Sequence, residues 1–313
     1  MDDLATPHDA FFRESFGRRE IAQDFLRHHL PSRLLATIHL DTLEISKDTY
    51  VSKDLRSAYS DLVYRVQCRN GDGELTIYLL FEHKSTPEHW TLLQLLRYIA
   101  AEGEQHRKQH PDARHLPPVY PLVIYHGERL WQAPRSFHEL VAPLPDALKP
   151  FVPQFTYALH DLSVRTDAEI KGDVLTRLVQ LAMRWIFSDE PIARLRELLN
   201  LIEQVADQAT ALELLESLLR YYVQGTQRVD EQDARRLLQQ TSNGDPIMQT
   251  FIDRYIEQGR QQGEVRMLLR QIEQKFGPPS ESVRQRIAEA DADTLLHWSE
   301  RILTADTVDA VLH

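Results

Sequence analysis

The sequence is poor in cysteine, since Cys68 is the only one among 313 residues. A single thiol excludes an intrachain disulfide framework and a cysteine-rich zinc site, because both need more than one cysteine. Long apolar runs are also absent, and no stretch approaches the roughly 20 residues that cross a bilayer. The amino-terminal letters MDDLATPHDAFF lack the basic start and apolar middle of a signal peptide. We therefore expect a cytoplasmic protein with no membrane partner.

An excess of positive charge is missing as well, and the formal net charge is -11. Phosphate binding favours basic surfaces, so the bulk charge counts mildly against a nucleic-acid partner. The acidity is uneven along the chain. Residues 1–140 hold 20 Asp and Glu against 17 Lys and Arg, whereas the remaining residues hold 27 against 19. Most of the acidity therefore lies outside the first 140 residues.

The first 140 residues carry the pattern of a mixed α/β domain. HDAFFRESFGRREIAQDFLRHHLP, from residue 8, has apolar residues at helical spacing and predicts two short helices joined near Gly17. SDLVYRVQCR (60–69) alternates like a half-buried strand, and NGDG (70–73) is a hairpin turn signal. ELTIYLLFEHK (74–84) is the partner strand, apolar enough for the centre of a sheet.

A crossover follows the hairpin. Residues 88–109 predict an amphipathic helix, and VYPLVIYHG (119–127) predicts a third strand. A strand, a long helix and another strand in succession indicate a parallel connection. The order α–β–β–α–β predicts a mixed sheet flanked by helices.

The remainder reads as mainly helical. APLPDALKPFVPQF (142–155) is punctuated by proline and predicts a wrapping loop or linker, and leucine-rich helical patterns follow over 168–222. A long helical pattern from residue 246, weakened at Gly259 and Gly263, ends at GPP (277–279), and two shorter helices come after it. We predict three regions: an α/β domain over 1–140, a helical extension over 141–245 and a helical carboxy-terminal domain over 246–313.

Charged residues interrupt the hairpin where its strands should be buried. Asp61 opens the first strand, and Glu82 and Lys84 close the second. Residues two apart in a strand share a face, and the reversal at NGDG should bring Asp61 beside Glu82. Two carboxylates with an ammonium alongside suit a hard divalent cation, and Mg²⁺ needs as few as two protein carboxylates. Such an ion can acidify a bound water and stabilise charge on a phosphate oxygen.

These residues resemble the PD-(D/E)xK nuclease superfamily. The motifs HDAFFRESF, YSDLVYRV, LLFEHKS, LLQLLRY and PLVIYHG, in this order between residue 7 and about residue 135, are similar to those of the Rpn family. That family comprises recombination-promoting nucleases, also described as YhgA-like transposases. The resemblance implies a restriction-endonuclease-like sheet core over 1–140. It also implies metal-dependent DNA cleavage, by an enzyme that often works as a homodimer, in recombination or in defence against foreign DNA.

The resemblance also implies roles for individual residues. Asp61 and Glu82 match the metal-binding carboxylates, which would take Mg²⁺ with Mn²⁺ or Ca²⁺ as alternatives, and Lys84 matches the catalytic lysine. Gln94 and Tyr98 match a QxxxY pattern, whose spacing places both on one helix face. Ser60 stands where the superfamily has proline, a position that shapes the backbone. Asp9 and Glu14 match an amino-terminal acidic partner only loosely.

Plainer interpretations stay open at each position. Glu82 and Lys84 could be the polar end of a strand, and Asp61 could cap a turn. His126 reads as a strand-end residue with a place at the edge of the site as the alternative, and Arg27, His28 and His29 read as solvated surface. Met267, Leu268 and Ile272 could seed dimerisation. The alternative function is a non-catalytic DNA-binding or scaffold protein, and RNA is an alternative substrate.

Overall fold

The computed structural model describes residues 6–45, 60–69, 73–82, 88–226, 228–241, 263–265, 267–288, 290–302, 305 and 307–312. The chain divides into two compact units, Met1–Ala234 and Arg235–His313. The first contains a β-sheet with helices on both faces, and the second is helical in its described parts.

A mixed sheet of five strands forms the centre of the first unit, in the order β1–β2–β3–β4–β5. β1, β2 and β3 are antiparallel neighbours, while β4 and β5 run parallel to β3. The predicted hairpin and parallel crossover are both confirmed, and β3 is the central strand that its apolar run indicates. The strands are β1 (Ile38–Ile45), β2 (Ser60–Cys68), β3 (Glu74–Glu82), β4 (Val119–Tyr125) and β5 (Ala158–Asp161).

The hairpin between β2 and β3 closes at the predicted turn. Gly73 has a φ of 122°, a conformation that side-chain-bearing residues rarely adopt. The amide of Cys68 donates to the carbonyl of Gly73 at 3.0 Å. Residues 70–72, the rest of the predicted turn, lie outside the described residues. The register on either side is continuous from Ser60, opposite Phe81, to Gln67, opposite Glu74.

Helices flank the sheet and continue through the first unit to α9, which begins in that unit and ends in the second. The predicted break near Gly17 is confirmed, because α1 ends at Phe16 and α2 begins at Arg19. The bounds are α1 (Pro7–Phe16), α2 (Arg19–His29), α3 (Ser32–Leu35), α4 (Thr91–Gln109), α5 (Phe137–Leu140), α6 (Val174–Trp185), α7 (Pro191–Ile202), α8 (Gln208–Thr226) and α9 (Glu231–Thr241).

Alternation along β2 defines two faces of the sheet. Val63 shares a core cluster with Leu92 and Leu95 of α4, so we call its side of the sheet the α4 face. Tyr64 points the other way, and its hydroxyl donates to the carbonyl of Phe16 in α1 at 2.8 Å. We call that side the α1 face. Burial of Tyr64 raises the pKa of its hydroxyl well above the ordinary value, so it remains a donor.

One strand, β5, differs from the sequence expectation. The segment predicted as a linker leads into β5, a strand of four residues at the edge of the sheet. β5 contains a buried histidine, His160, whose Nε2 lies 2.9 Å from Oε1 of Gln180 in α6. A short strand with a polar residue in a buried position lacks the apolar run that marks β3.

The second unit has its own core. Residues 263–265 and 267–276 are helical and are labelled α10; then come α11 (Glu281–Ala288), α12 (Ala292–Arg301) and α13 (Val308–Leu312). Gly277, with a φ of 89°, follows the last residue of α10, as predicted. Leu268 and Ile272 are buried in this core with Trp298. The side chains of Leu268 and Ile272 therefore stabilise this unit itself, which argues against the dimerisation role considered for these two residues. Residues 246–262 of the predicted long helix lie outside the described residues.

Candidate active site on the β2–β3 hairpin

The backbone register places Asp61 and Glu82 on one face of the sheet. Asp61 lies opposite Leu80, and Leu80 is two residues before Glu82 in β3. Directly opposite residues share a face, as do residues two apart in one strand. Positions 61 and 82 are therefore diagonal neighbours, a relationship that typically separates Cα atoms by about 7–8 Å. This is the juxtaposition that the hairpin turn predicts.

That shared face is the α4 face. Val63 lies two residues after Asp61 in β2, and Val123 of β4 lies opposite Leu80. Both valines belong to the core cluster that contains Leu92 and Leu95. The first turns of α4 therefore cover the sheet beside positions 61 and 82.

The structure describes the charged residues of the predicted site only in part. For Asp61 and Glu82 the structure describes the backbone alone, and Lys84 and His83 lie outside the described residues. The shared face of Glu82 and Lys84 remains a prediction. Among the described side chains, no three His, Cys, Asp or Glu residues form a group that could hold a metal ion.

Gln94 and Tyr98 lie one helical turn apart on α4. Tyr98 is buried and belongs to the core cluster with Val63. Gln94 is half-buried, and its Oε1 atom is buried without a hydrogen-bond partner in the described part of the chain. A buried acceptor without a partner costs about 1–3 kcal/mol and is rare in native proteins. The helix thus presents an unused acceptor beside the face that carries Asp61 and Glu82.

The amino-terminal acids lie elsewhere. Oδ2 of Asp9 accepts from the amide and hydroxyl of Thr6, at 3.1 and 2.8 Å, and so caps the start of α1. Glu14 accepts from the Ser217 hydroxyl at 2.5 Å and from Arg220 at 2.6 Å, which ties α1 to α8. α1 packs on the α1 face, so neither acid lies on the face of Asp61 and Glu82. Both acids have structural partners in this unit, and a role for either in the site stays a prediction.

Comparison with known proteins decides the family. Residues 6–213 match the family described as "Putative transposase, YhgA-like", which is more than half of the chain. The chain belongs to the YhgA-like family. The family that the sequence motifs indicate is thereby confirmed.

Three YhgA-like relatives from Escherichia coli show how far the similarity extends. The inactive recombination-promoting nuclease-like protein RpnE of strain K12 is 28% identical over 87% of this chain and 91% of its own length. The recombination-promoting nuclease RpnD of O157:H7 is 32% identical over 64% of this chain and 73% of its own. The recombination-promoting nuclease RpnA of strain K12 is also 32% identical, over 64% and 65%. No solved structure matches the chain.

Two histidines of this YhgA-like chain lie away from the α4 face. His126 follows β4, is buried on the α1 face, and has its Nδ1 atom 3.0 Å from the carbonyl of Met183. Its environment is structural, not the edge of the candidate site. His29 is not a solvated residue either, because its ring packs on Phe25 and on His160, with centroids 4.5 and 4.2 Å apart. Burial, with Arg165 nearby, lowers the pKa of His29 to about 4.

A polar cavity of about 400 Å³ lies at the far end of the α4 face. Arg65 and Glu102 form an ion pair on its wall, with Nη2 and Oε1 3.3 Å apart, and His106 and His110 of α4 also line it. Arg65 is four residues along β2 from Asp61, about 13 Å at the usual rise of a strand. The cavity is therefore separate from the candidate site.

No helix in the described ranges combines the length and the apolar character needed to cross a bilayer.

Proposed function

We propose that this YhgA-like protein is a metal-dependent DNA endonuclease that acts in DNA recombination or in defence against foreign DNA. The observation that carries the proposal is the register that puts Asp61 and Glu82 on one face of the hairpin. The names of three relatives, the recombination-promoting nucleases RpnD, RpnA and RpnC, support a nuclease role.

The donor set fits a hard divalent cation. Mg²⁺ prefers oxygen ligands and keeps several waters, so the carboxylates of Asp61 and Glu82 would suffice to hold it, or Mn²⁺ or Ca²⁺ in its place. When bound, such an ion acidifies a water molecule and stabilises negative charge on a phosphate oxygen. The two acids lie on neighbouring, hydrogen-bonded strands of the sheet, which suits a site that must hold its geometry.

The other site residues would position the substrate. Lys84 would stabilise the charge that gathers on the phosphate oxygens, an effect typically worth about 3 kcal/mol for one well-placed group. Gln94 and Tyr98 would hold a phosphate oxygen or order the site from α4. The hydrolysis itself adds water across one phosphorus–oxygen bond, and the departing sugar oxygen takes up a proton.

We propose DNA as the substrate and a homodimer as the working form, with one active site for each strand. RNA is the alternative substrate, because the same chemistry cleaves either backbone. We place the enzyme in the cytoplasm, where such a substrate would be met.

A second candidate is a non-catalytic DNA-binding or scaffold protein on the same fold. One observation favours it: the relative that covers 87% of this chain is named an inactive nuclease-like protein. The net charge of -11 counts mildly against DNA binding, and since both candidates bind DNA, the charge does not decide between them.

A plasmid-nicking assay separates the two candidates. Supercoiled plasmid is incubated with the full chain and Mg²⁺, Mn²⁺ or Ca²⁺, and with EDTA as the control. The endonuclease proposal predicts open-circular and linear DNA with at least one of the three ions and none with EDTA. Plasmid that is retarded on the gel but uncut under every condition would show instead that the chain binds DNA without cleaving it.

A further inference from the structure

An exposed tryptophan at the N-cap of α4 lies in line with the QxxxY pair. Trp90, Gln94 and Tyr98 are spaced four residues apart, and the amide of Gln94 donates to the carbonyl of Trp90 at 3.1 Å. Residues four apart lie above one another on a helix. The row therefore runs from the buried Tyr98 through the half-buried Gln94 to Trp90, which is 55% exposed.

The exposure of Trp90 sets it apart within this chain. Trp185 and Trp298 are buried, and Trp131 is half-buried. The Trp90 ring meets the His89 ring edge to face, with centroids 5.0 Å apart. Leu93, on the next turn, is exposed as well. Trp90 and Leu93 therefore expose aromatic and apolar surface at the start of α4.

The charge of this surface suits a polyanion. Between Thr91 and Ala101 the only charged residue is Arg97, which is exposed and forms no ion pair or hydrogen bond with the described residues. An acid flanks this stretch on each side: Glu88, whose Oε1 accepts from the amide of Trp90 at 3.4 Å, and Glu102, which is paired with Arg65. A guanidinium that has no partner among the described residues, seven residues from an exposed indole, can contact a phosphate while the indole contacts a base.

We infer that Trp90 stacks on an unpaired base of the DNA next to the bond that is cut, with Arg97 on the adjoining phosphate. The inference rests on the proposed function, because the site beside Gln94 is what brings DNA to this surface. It specifies the substrate class: DNA with a single-stranded segment at the cleavage position. Aromatic stacking needs an exposed base face, which an intact duplex hides within the stack.

Binding is measured in a Glu82→Ala background, so that the DNA stays intact, with a fluorescent single-stranded oligonucleotide and with the blunt duplex of the same sequence. Trp90→Ala should weaken single-strand binding about tenfold, the loss typical of one base–aromatic stack. Trp90→Phe, which keeps an aromatic face, should stay within about threefold of its parent. The control is Leu116→Ala, which removes another exposed apolar side chain, beside Gly103 in the later half of α4. It should bind like the parent.

Intrinsic fluorescence gives a second readout. The single strand should quench the tryptophan emission of the parent, and Trp90→Phe should lose most of that quenching because a stacked indole is quenched by the base. Unchanged affinity of Trp90→Ala, or equal loss on the single strand and the duplex, would overturn the inference.

The two proposals fail in different ways. If the wild-type protein cuts DNA while Trp90→Ala binds the single strand normally, the endonuclease stands and the stacking role is wrong. If no ion supports cleavage but the single strand is bound through Trp90, the stacking role stands and the endonuclease proposal is wrong.

Discussion

Asp61 and Glu82 lie on the same face of the β2–β3 hairpin. Asp61 is directly opposite Leu80, and Glu82 is two residues beyond Leu80 in β3. The first turns of α4 pack on that face through Leu92 and Leu95. Under the proposed function, the last position of β3 is a carboxylate because it shares a face with Asp61 of the neighbouring strand.

Replacing Gln94 with Met should separate function from stability. Met has similar length and removes the buried Oε1 acceptor that has no described partner. We expect the free energy of unfolding to stay the same or rise by about 1 kcal/mol, because an unsatisfied acceptor is lost. We expect DNA cleavage to fall at least tenfold, because the contact to substrate is lost. Urea unfolding and plasmid nicking measure the two effects, and a destabilised but fully active variant would show that Gln94 is a packing residue.

Glu14→Gln tests the structural assignment of the amino-terminal acids. The change weakens the contacts of Glu14 with Ser217 and Arg220, so α1 is held less firmly to α8. Because these side chains are partly exposed, the loss should be about 0.5–1 kcal/mol. Cleavage at saturating Mg²⁺ should remain within about twofold of wild type. Loss of cleavage with a normal melting temperature would instead return Glu14 to the active site.

The Arg65–Glu102 pair predicts a non-additive pattern of stability. Glu102 is buried, so Arg65→Met leaves a carboxylate without its partner and should cost about 2 kcal/mol. The double variant Arg65→Met/Glu102→Leu removes both charges and should be more stable than Arg65→Met alone. Thermal unfolding of the two single variants and the double variant completes the cycle. A double variant as unstable as the sum of the singles would contradict a buried, coupled pair.

The hairpin and the crossover could be predicted because their signals are local. Alternation in β2, the apolar run of β3 and the turn that ends at Gly73 each lie within a few residues of one another. β1 is less regular, because a shift of register between His39 and Glu44 breaks its alternation. β5 could not be predicted, because His160 is buried through a contact with Gln180, twenty residues further along the chain.

The candidate site, like the fold, could be predicted where its signals are local in the sequence. The positions of Asp61 and Glu82 follow from the turn, whereas the structural roles of Asp9 and Glu14 depend on partners. A local signal for Asp9 does exist, since Thr6 and Asp9 have the spacing of a capping box. No local signal exists for Glu14, whose partners Ser217 and Arg220 lie about two hundred residues away.

The histidine pair His29–His160 predicts loss of stability in mild acid. Burial lowers the folded-state pKa of His29 from 6.5 to about 4 and lowers that of His160 as well. The unfolded chain therefore binds protons below pH 6.5 that the folded chain refuses, so stability is full above pH 6.5 and falls towards pH 4. For His29 alone the loss between pH 7.5 and pH 5 is about 2 kcal/mol.

Urea unfolding of the wild type and of His29→Gln at pH 7.5, 6 and 5 measures this effect. The variant should lose less stability than the wild type between pH 7.5 and 5, because its side chain does not titrate. Parallel pH curves for the two proteins would mean that His29 is protonated equally easily in the folded and unfolded states.

The most direct test of the central claim is the rate of plasmid nicking by Glu82→Gln in Mg²⁺. Glu74→Gln is the matched control, since Glu74 lies in the same strand and on the same face, eight residues away. Circular dichroism should show both variants folded. The account predicts that Glu82→Gln nicks at least a hundredfold more slowly than wild type while Glu74→Gln nicks at the wild-type rate. Wild-type nicking by folded Glu82→Gln would contradict the account.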